Sequence, residues 1–307
     1  MTDFANKLSA SQVDAGEKAE SAMQNVPVRR FARGALLSAH DNVAIEDPVE
    51  ICLAWPVPTE DDDRQSTALA QRNIAITMRT PGDDAALALG FLFTEGVISS
   101  REQIAAVSTS TVGGDLDSSN RVTVQLKDVP KRELAKLDRN FYMTSSCGVC
   151  GKASIEALHM QAHFPIQADE LLVSANTLIG LPQQLGALQR VFAGTGSIHA
   201  AALFGQSGLS GRVYEDVGRH NAVDKLIGSR FLAGKLPMRN SGILVSGRAS
   251  FELVQKARMA GCAMLAAVGA PSSLAIDLAW DSDMTLIGFL RDGRFNVYTG
   301  PDRIAHT

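Results

Sequence analysis

Apolar and polar positions follow a regular pattern in the second part of the chain. Short apolar runs of strand length alternate with longer helical patterns there, and glycine lies between them. The runs predict strands at 197–204, 242–247, 262–269, 283–290 and 294–300, and helices at 218–232, 250–261 and 270–280. Alternation of this kind is typical of a layered α/β sheet, in which ligands bind at the carboxyl ends of the strands.

The first part of the chain mixes the two patterns less regularly. It predicts a strand at 73–80, a helix within 81–96, a helix start with Ser99 and Glu102 as a capping box, and a strand at 121–128. These elements indicate a small α+β unit.

Three parts follow from these patterns. Residues 1–26 are polar and lack a sustained apolar period, which predicts a flexible tail. A charged stretch near residue 138 separates an N-terminal α+β subdomain, 27–138, from an α/β core, 139–307.

The overall charge is nearly balanced, with 29 basic and 33 acidic residues and a net charge of -4. Such a balance gives no global field for nucleic acid or an anionic membrane, so an anionic ligand would need a local cluster. The chain begins without a basic region followed by an apolar one, and its most apolar later stretch, 260–271, is too short to cross a bilayer. We therefore expect a cytoplasmic protein that binds neither nucleic acid nor membrane.

Four cysteines in 307 residues do not resemble a secreted disulfide framework. Cys52 and Cys262 lie in apolar runs and are expected in the core. Cys147 and Cys150 stand three positions apart in front of a helical pattern, with glycines and Lys152 nearby. A helix start and a cation lower the pKa of a thiol, which favours the reactive thiolate.

Metal binding is an alternative for the same pair. His159 and His163 complete a C-x2-C-x8-H-x3-H pattern, although the gap is shorter than in the usual zinc finger. A dithiol exchanger would require a strand directly before the cysteines, and the preceding residues are a poor strand. A zinc deaminase requires an H-x-E motif, and none of the six histidines has Glu two places later.

Polar residues also gather around the glycine joints of the second part: Thr195, Ser197, His199, Glu215, Asp216, Arg219, His220, Asn221, Asp224 and Lys225. A helix that begins near Arg219 would place His220 and Asp224 on one face. A purely structural role is the alternative, in which Asp216 caps this helix and Asp224 pairs with Arg219 or His220.

Two further segments could bind an anion. Arg248 follows a predicted strand, with Ser246 and Ser250 beside it, at a glycine turn that opens a helix. An Asp-Gly turn within 289–300 predicts a hairpin in which Arg291 and Arg294 could bind a phosphate or a purine edge. A capped turn and a plain hairpin are the structural alternatives.

Six segments in the same order resemble the FdhD family of formate dehydrogenase accessory sulfurtransferases. They are "SSCGVCGKASIEAL", "TGSIHAAALF", "YEDVGRHNAVDKLIG", "ILVSGRASFELVQKA", "GAPSSLAIDLA" and "TLIGFLR". The resemblance runs from about Val28 to Ile304 and is far more specific than the cysteine pair alone.

The resemblance implies a fold and a reaction. The fold would be an α/β/α layered core similar to cytidine deaminase, with an additional N-terminal α+β subdomain. The protein would take sulfane sulfur from a cysteine desulfurase as a persulfide on Cys147, with Cys150 assisting. It would deliver that sulfur to the molybdenum bis(molybdopterin guanine dinucleotide) cofactor, its bound substrate, for apo formate dehydrogenase, and would work as a homodimer.

The resemblance also implies a cofactor segment near the C-terminus, made of Phe289, Leu290, Arg291, Asp292, Gly293 and Arg294. With Arg248, His199, His220 and Asn221, these residues are the candidates for binding the cofactor through a GDP-like guanine nucleotide moiety. No residue is predicted to bind a resident metal. A zinc-stabilised binding module and a nucleotide-binding chaperone without sulfur transfer remain the alternatives.

Overall fold

The computed structural model describes residues 20–57, 68–110, 120–130, 164–166 and 170–305. Cys147, Cys150, His159 and His163 lie outside the described residues, so the structure tests neither the thiol pair nor the zinc alternative.

The N-terminal part contains two small sheets and one helix. Its strands are β1 (Met23–Ala32), β2 (Ala35–Ala44), β3 (Asp47–Pro56), β4 (Leu69–Arg79), β5 (Ile104–Ser110) and β6 (Arg121–Leu126), and its helix is α1 (Asp84–Thr94). β1 and β2 form an antiparallel hairpin, and the other four strands form a sheet in the order β4-β3-β6-β5. The α+β character predicted for this part is therefore present.

Two local predictions were wrong here. β1 begins at Met23, so the last four residues of the predicted tail belong to a strand. The capping box uses Ser100 and Gln103 instead of Ser99 and Glu102, and it opens one short 3-10 turn that continues directly into β5. The side-chain oxygen of Gln103 accepts the N–H of Ser100 at 3.0 Å. A partner strand, β6, was available for the residues that follow, so the backbone extended instead of continuing as a helix.

The second part contains a six-stranded mixed sheet. Its strands are β8 (His199–Gly205), β9 (Gly208–Asp216), β10 (Gly242–Val245), β11 (Met264–Ala267), β12 (Thr285–Arg291) and β13 (Arg294–Thr299), in the order β13-β12-β11-β10-β8-β9. β10, β11 and β12 are parallel, while β8, β9 and β13 pair antiparallel to their neighbours. A short parallel pair, β7 (Val173–Ser174) and β14 (Ile304–Ala305), lies outside this sheet.

Helices cover both faces of the six-stranded sheet. They are α2 (Ala175–Leu188), α4 (Arg219–Leu232), α5 (Phe251–Met259) and α6 (Ser273–Asp281), while the short helix α3 (Arg190–Thr195) lies against the hairpin of β1 and β2. Along β10, Ile243 and Val245 pack in one apolar cluster with α4, α5 and α6, and Leu244 packs with α2 in another. The mixed α/β fold is thus confirmed. The closer likeness to the layering of cytidine deaminase stays a prediction.

The two predicted parts share one hydrophobic core. Ile51 and Leu53 of β3 and Leu87 of α1 belong to the same buried cluster as Val223 of α4 and Leu253 of α5. No helix among the described residues is long and apolar enough to span a bilayer.

Glycine allows α1 and α4 to approach unusually closely. A Cβ added to Gly90 would lie 1.9 Å from the carbonyl oxygen of Asp224, and one added to Gly228 would lie 1.8 Å from that of Ala86. Both neighbours are backbone atoms of a packed helix, so they cannot move aside without separating the two helices.

We expect Gly90→Ala to lower the free energy of unfolding by about 1–3 kcal/mol or more, since the added methyl group overpacks the helix contact. Urea unfolding measures the change. Gly186→Ala is the matched control, because Gly186 is in α2 with no atom within 4 Å of the added Cβ. There the same substitution should raise the stability by about 0.5–1 kcal/mol. Equal effects at the two positions would contradict the close approach.

Candidate functional site

Two turns and one irregular strand segment meet at the carboxyl ends of the parallel strands. They are residues 246–250 after β10, residues 268–272 after β11, and residues 288–289 within β12. The N–H of Gly269 donates to the oxygen of Gly247 at 2.9 Å, and the N–H of Phe289 donates to the oxygen of Gly269 at 3.0 Å. We call these three hydrogen-bonded segments the site edge.

The site edge requires glycine because the backbones approach closely. A Cβ on Gly269 would lie 3.0 Å from the oxygen of Gly247, and one on Gly288 would lie 2.8 Å from Cδ of Pro271. A Cβ on Gly247 would lie 3.3 Å from Nδ1 of His199. The glycine joints of the sequence therefore let three backbone segments pack closely together beside an imidazole.

His199 reaches the site edge because β8 is antiparallel to β10. The first residue of β8 therefore lies next to the last residues of β10, and the N–H of Ala200 donates to Oγ of Ser246 at 2.9 Å. Burial lowers the pKa of His199 below its ordinary value of 6.5, and the charges of Arg219 and His220 lower it further against the opposing effect of Asp216. His199 is thus held as a neutral imidazole at the site edge.

His220 lies at the same edge, in the first turn of α4. Its Nε2 is 2.6 Å from Oε2 of Glu252, which is in the first turn of α5. The hydroxyl of Ser250 is 3.5 Å from the same nitrogen. Sequence reasoning missed Glu252, for which the only signal is an acidic residue in the first turn of a predicted helix.

Asn221 occupies a structural position. Its amide nitrogen donates to the oxygen of Met78 at 2.8 Å and to Oδ1 of Asp216 at 3.0 Å, and its oxygen is 3.4 Å from Oγ1 of Thr77. Both amide protons therefore have protein acceptors. These hydrogen bonds connect α4 to β4 through Asn221, a residue predicted to bind the cofactor.

Asp216 and Lys225 form a buried ion pair below the site edge. Nζ of Lys225 is 2.7 Å from Oδ2 of Asp216 and donates to the oxygen of Thr80 at 2.8 Å. Oδ1 of Asp216 accepts the N–H of Gly218 at 2.8 Å, at the beginning of α4. Asp216 therefore has a structural role, although the bond is to the N-cap residue, Gly218, and is not the helix cap foreseen as the alternative.

Asp224 does not share the site with His220. Both of its carboxylate oxygens lie 2.8 Å from Nζ of Lys256, and Oδ1 accepts a hydrogen bond from Thr94 at 3.0 Å. The structural alternative, a pairing with Arg219 or His220, was therefore wrong in its partner. Asp224 points from α4 toward α1 and α5, which the sequence could not indicate.

The arginine residues of the candidate set lie at the surface. Arg248 is exposed beside Gly269, and no ion pair to it occurs within the described part of the chain. The predicted Asp-Gly hairpin is confirmed, with Asp292 at φ 54° and Gly293 at φ 70°, as a primed turn requires. Arg291 and Arg294 are paired directly across the hairpin, and both are exposed.

The two apolar residues of the cofactor segment differ from each other. Phe289 is partly exposed in a left-handed conformation, φ 52°, and the guanidinium of Arg291 lies 5.6 Å from the centre of its ring. Leu290 is fully buried and packs in the cluster around α2, so a ligand at the surface cannot contact its side chain. Successive residues of a strand point to opposite faces, so a ligand at the surface could meet only the backbone of Leu290, and its assignment to cofactor binding stays a prediction.

The expected core positions of the isolated cysteines are confirmed. Cys52 and Cys262 are both buried. Burial raises the pKa of the Cys52 thiol, with a further rise from Glu50. Neither thiol is suited to attack a sulfur donor from solution.

His199 makes stability depend on pH. Because its folded pKa is depressed, the unfolded chain binds a proton below pH 6.5 that the folded state binds only at lower pH. Wild-type protein should therefore lose stability as the pH falls below 6.5, and His199→Gln should lose less. The slopes of unfolding free energy against pH in wild-type protein and His199→Gln should differ by less than about 1.4 kcal/mol per pH unit, because the half-exposed ring is screened by solvent. Urea unfolding at several pH values checks this, and parallel curves would contradict it.

This chain is similar to known proteins over most of its length. The "Sulfur carrier protein FdhD" of Streptomyces coelicolor is 47% identical over 282 residues, covering 91% of this chain and 94% of that protein. The proteins of that name from Mycobacterium tuberculosis and Sulfolobus acidocaldarius are 44% and 38% identical over 282 residues, covering 90% and 92% of this chain and 96% and 98% of theirs.

A solved structure has the same fold. The crystal structure of a proposed formate dehydrogenase accessory protein from Desulfotalea psychrophila matches with a TM-score of 0.67 and 25% identity, over 92% of this chain and 100% of that one. The sequence profile of the FdhD/NarQ family matches residues 62–305. The chain therefore belongs to the FdhD/NarQ family.

Proposed function

We propose that this protein is a sulfurtransferase that matures formate dehydrogenase. It accepts sulfane sulfur from a cysteine desulfurase as a persulfide on Cys147, with Cys150 assisting. It then delivers the sulfur to the molybdenum bis(molybdopterin guanine dinucleotide) cofactor destined for apo formate dehydrogenase. The observation that carries the proposal is the extended similarity to relatives named sulfur carrier protein FdhD.

The site edge supports a phosphate-rich substrate. Three helices, α4, α5 and α6, begin beside its turns, and the exposed N–H groups of helix starts favour anions. Arg248, Arg291 and Arg294 add exposed guanidinium groups, which pair with phosphate in a bidentate manner. A local cluster of this kind supplies the positive charge that the net charge of -4 does not.

We also propose a cytoplasmic homodimer, as the family resemblance implies. The hairpin of β1 and β2 exposes Phe31, Leu36 and Leu37 by 71%, 59% and 53%. Apolar side chains grouped in this way favour a surface that a second copy covers.

The persulfide is tested by mass spectrometry after incubation with a cysteine desulfurase and cysteine. We expect a gain of one sulfur in wild-type protein and in Cys52→Ala, the control at a buried thiol, and no gain in Cys147→Ala. The reason is that only an accessible thiolate attacks the donor. A gain that persists in Cys147→Ala would refute the assignment.

Two further measurements test the alternatives. Maturation of formate dehydrogenase by Cys147→Ala would favour the chaperone alternative. Stoichiometric zinc that is lost when His159 or His163 is replaced would favour the binding module.

Nucleotide binding is tested by calorimetry with GDP. Arg294→Ala should weaken binding about tenfold or more, since a charge-assisted hydrogen bond contributes about 1.5–3 kcal/mol. Arg239→Ala is the matched control, because Arg239 is an exposed arginine just before β10, at the opposite end of that strand from the site edge. Equal losses in the two variants would show a nonspecific charge effect and contradict the proposal.

A further inference from the structure

Glu252 is a buried carboxylate that the site described so far leaves unexplained. The residue is 8% exposed, and its only described hydrogen-bonding or ionic partner at close range is Nε2 of His220, 2.6 Å from Oε2. Its other oxygen, Oε1, is buried and has no hydrogen-bond partner among the described residues. A carboxylate is costly to bury in this way, which argues for a role beyond packing.

The contact determines which nitrogen of His220 can exchange a proton. An ionised carboxylate only accepts hydrogen bonds, so the proton of the contact belongs to Nε2. The bond made by one ring nitrogen sets the state of the other. No described residue bonds to Nδ1 of His220, so among the described residues that nitrogen has no partner that would occupy it.

The surrounding charges differ for the two imidazoles of the site. His199 is held neutral by burial and by Arg219 and His220, as described above. His220 instead contacts a carboxylate, while Lys256 lies one turn further along α5 from Glu252. Two titratable groups placed in contrasting environments are typical of a site that moves protons.

We propose that Glu252 is a positioning residue for His220, and that Nδ1 of His220 accepts the proton of an S–H group brought to the site edge. The role rests on the proposed sulfur transfer. The proton moves from sulfur to Nδ1, the electron pair of the S–H bond remains on the sulfur as thiolate or persulfide anion, and the resulting imidazolium is paired with Glu252. The inference is limited to this proton transfer.

A contact that merely packs α4 against α5 would behave differently. It would require a group of suitable size at position 252 but would not depend on a hydrogen-bond acceptor. Glu252→Gln keeps both the size and an acceptor oxygen, and Glu252→Met keeps only the size. The two variants therefore separate positioning from packing.

The position of the proton is tested by NMR in the absence of any sulfur donor. Wild-type protein should show an exchange-protected, far-downfield imidazole N–H resonance, assigned by its loss in His220→Gln. We expect the resonance to survive at a less downfield position in Glu252→Gln and to be lost in Glu252→Met. Asp277→Asn, at an exposed carboxylate of α6, is the control and should leave it unchanged. A resonance that persists unchanged in Glu252→Met would overturn the positioning role.

The proton transfer is tested by the rate at which sulfur-loaded protein passes its sulfur on. Glu252→Met should slow this step about tenfold or more, Glu252→Gln should recover part of the rate, and the final sulfur load per chain should stay the same in both. A wild-type rate in Glu252→Met would overturn the proposed role of His220. If Glu252→Met fails to fold, Glu252→Gln decides: an unshifted resonance with an unchanged rate would overturn the proposal.

The two hypotheses fail separately. Wild-type protein that gains no sulfur would overturn the proposed function and with it the transfer of an S–H proton. The NMR experiment would still decide whether Glu252 positions His220, because it uses no sulfur donor.

Discussion

The ion pair between Lys225 and Asp216 is almost entirely removed from water, and the arrangement of the site depends on it. The two side chains are 2% and 0% exposed. Lys225 also donates to the carbonyl oxygen of Thr80, and Asp216 accepts the N–H of Thr80 at 3.2 Å. The pair therefore ties the end of β4, the end of β9 and the beginning of α4 together. Loss of one partner from a buried pair costs about 3–5 kcal/mol, because the other charge is left unpaired.

α4 is fastened on its other side as well. Asp224, the residue next to Lys225, pairs with Lys256 of α5, and glycines let α1 approach within contact of the α4 backbone. Two buried ion pairs and a close helix contact leave α4 little freedom to shift. The first turn of α4 carries His220, so its imidazole is presented to Glu252 from a rigid support.

Rigid placement suits the chemistry we propose. The site edge offers the starts of three helices, exposed arginines and two imidazoles in different environments. A substrate with several phosphates would be held by the first two features, while the imidazoles are suited to moving a proton. In this proposal, the sulfur transfer and the client enzyme are inferred from the family relationship, and the proton acceptor is inferred from the geometry.

The sequence by itself determined the features that depend on neighbours along the chain. Apolar periodicity located the strands and helices of the core, the Asp-Gly pair gave the hairpin turn, and apolar surroundings put Cys52 and Cys262 inside. Only the tertiary structure decided which side chains meet. Asn221 of α4 donates to the backbone of β4, the side chain of Leu290 is buried in the core, and Glu252 of α5 contacts His220 of α4. Such contacts join residues far apart in the chain, and they depend on sheet order and helix packing, about which local periodicity carries no information.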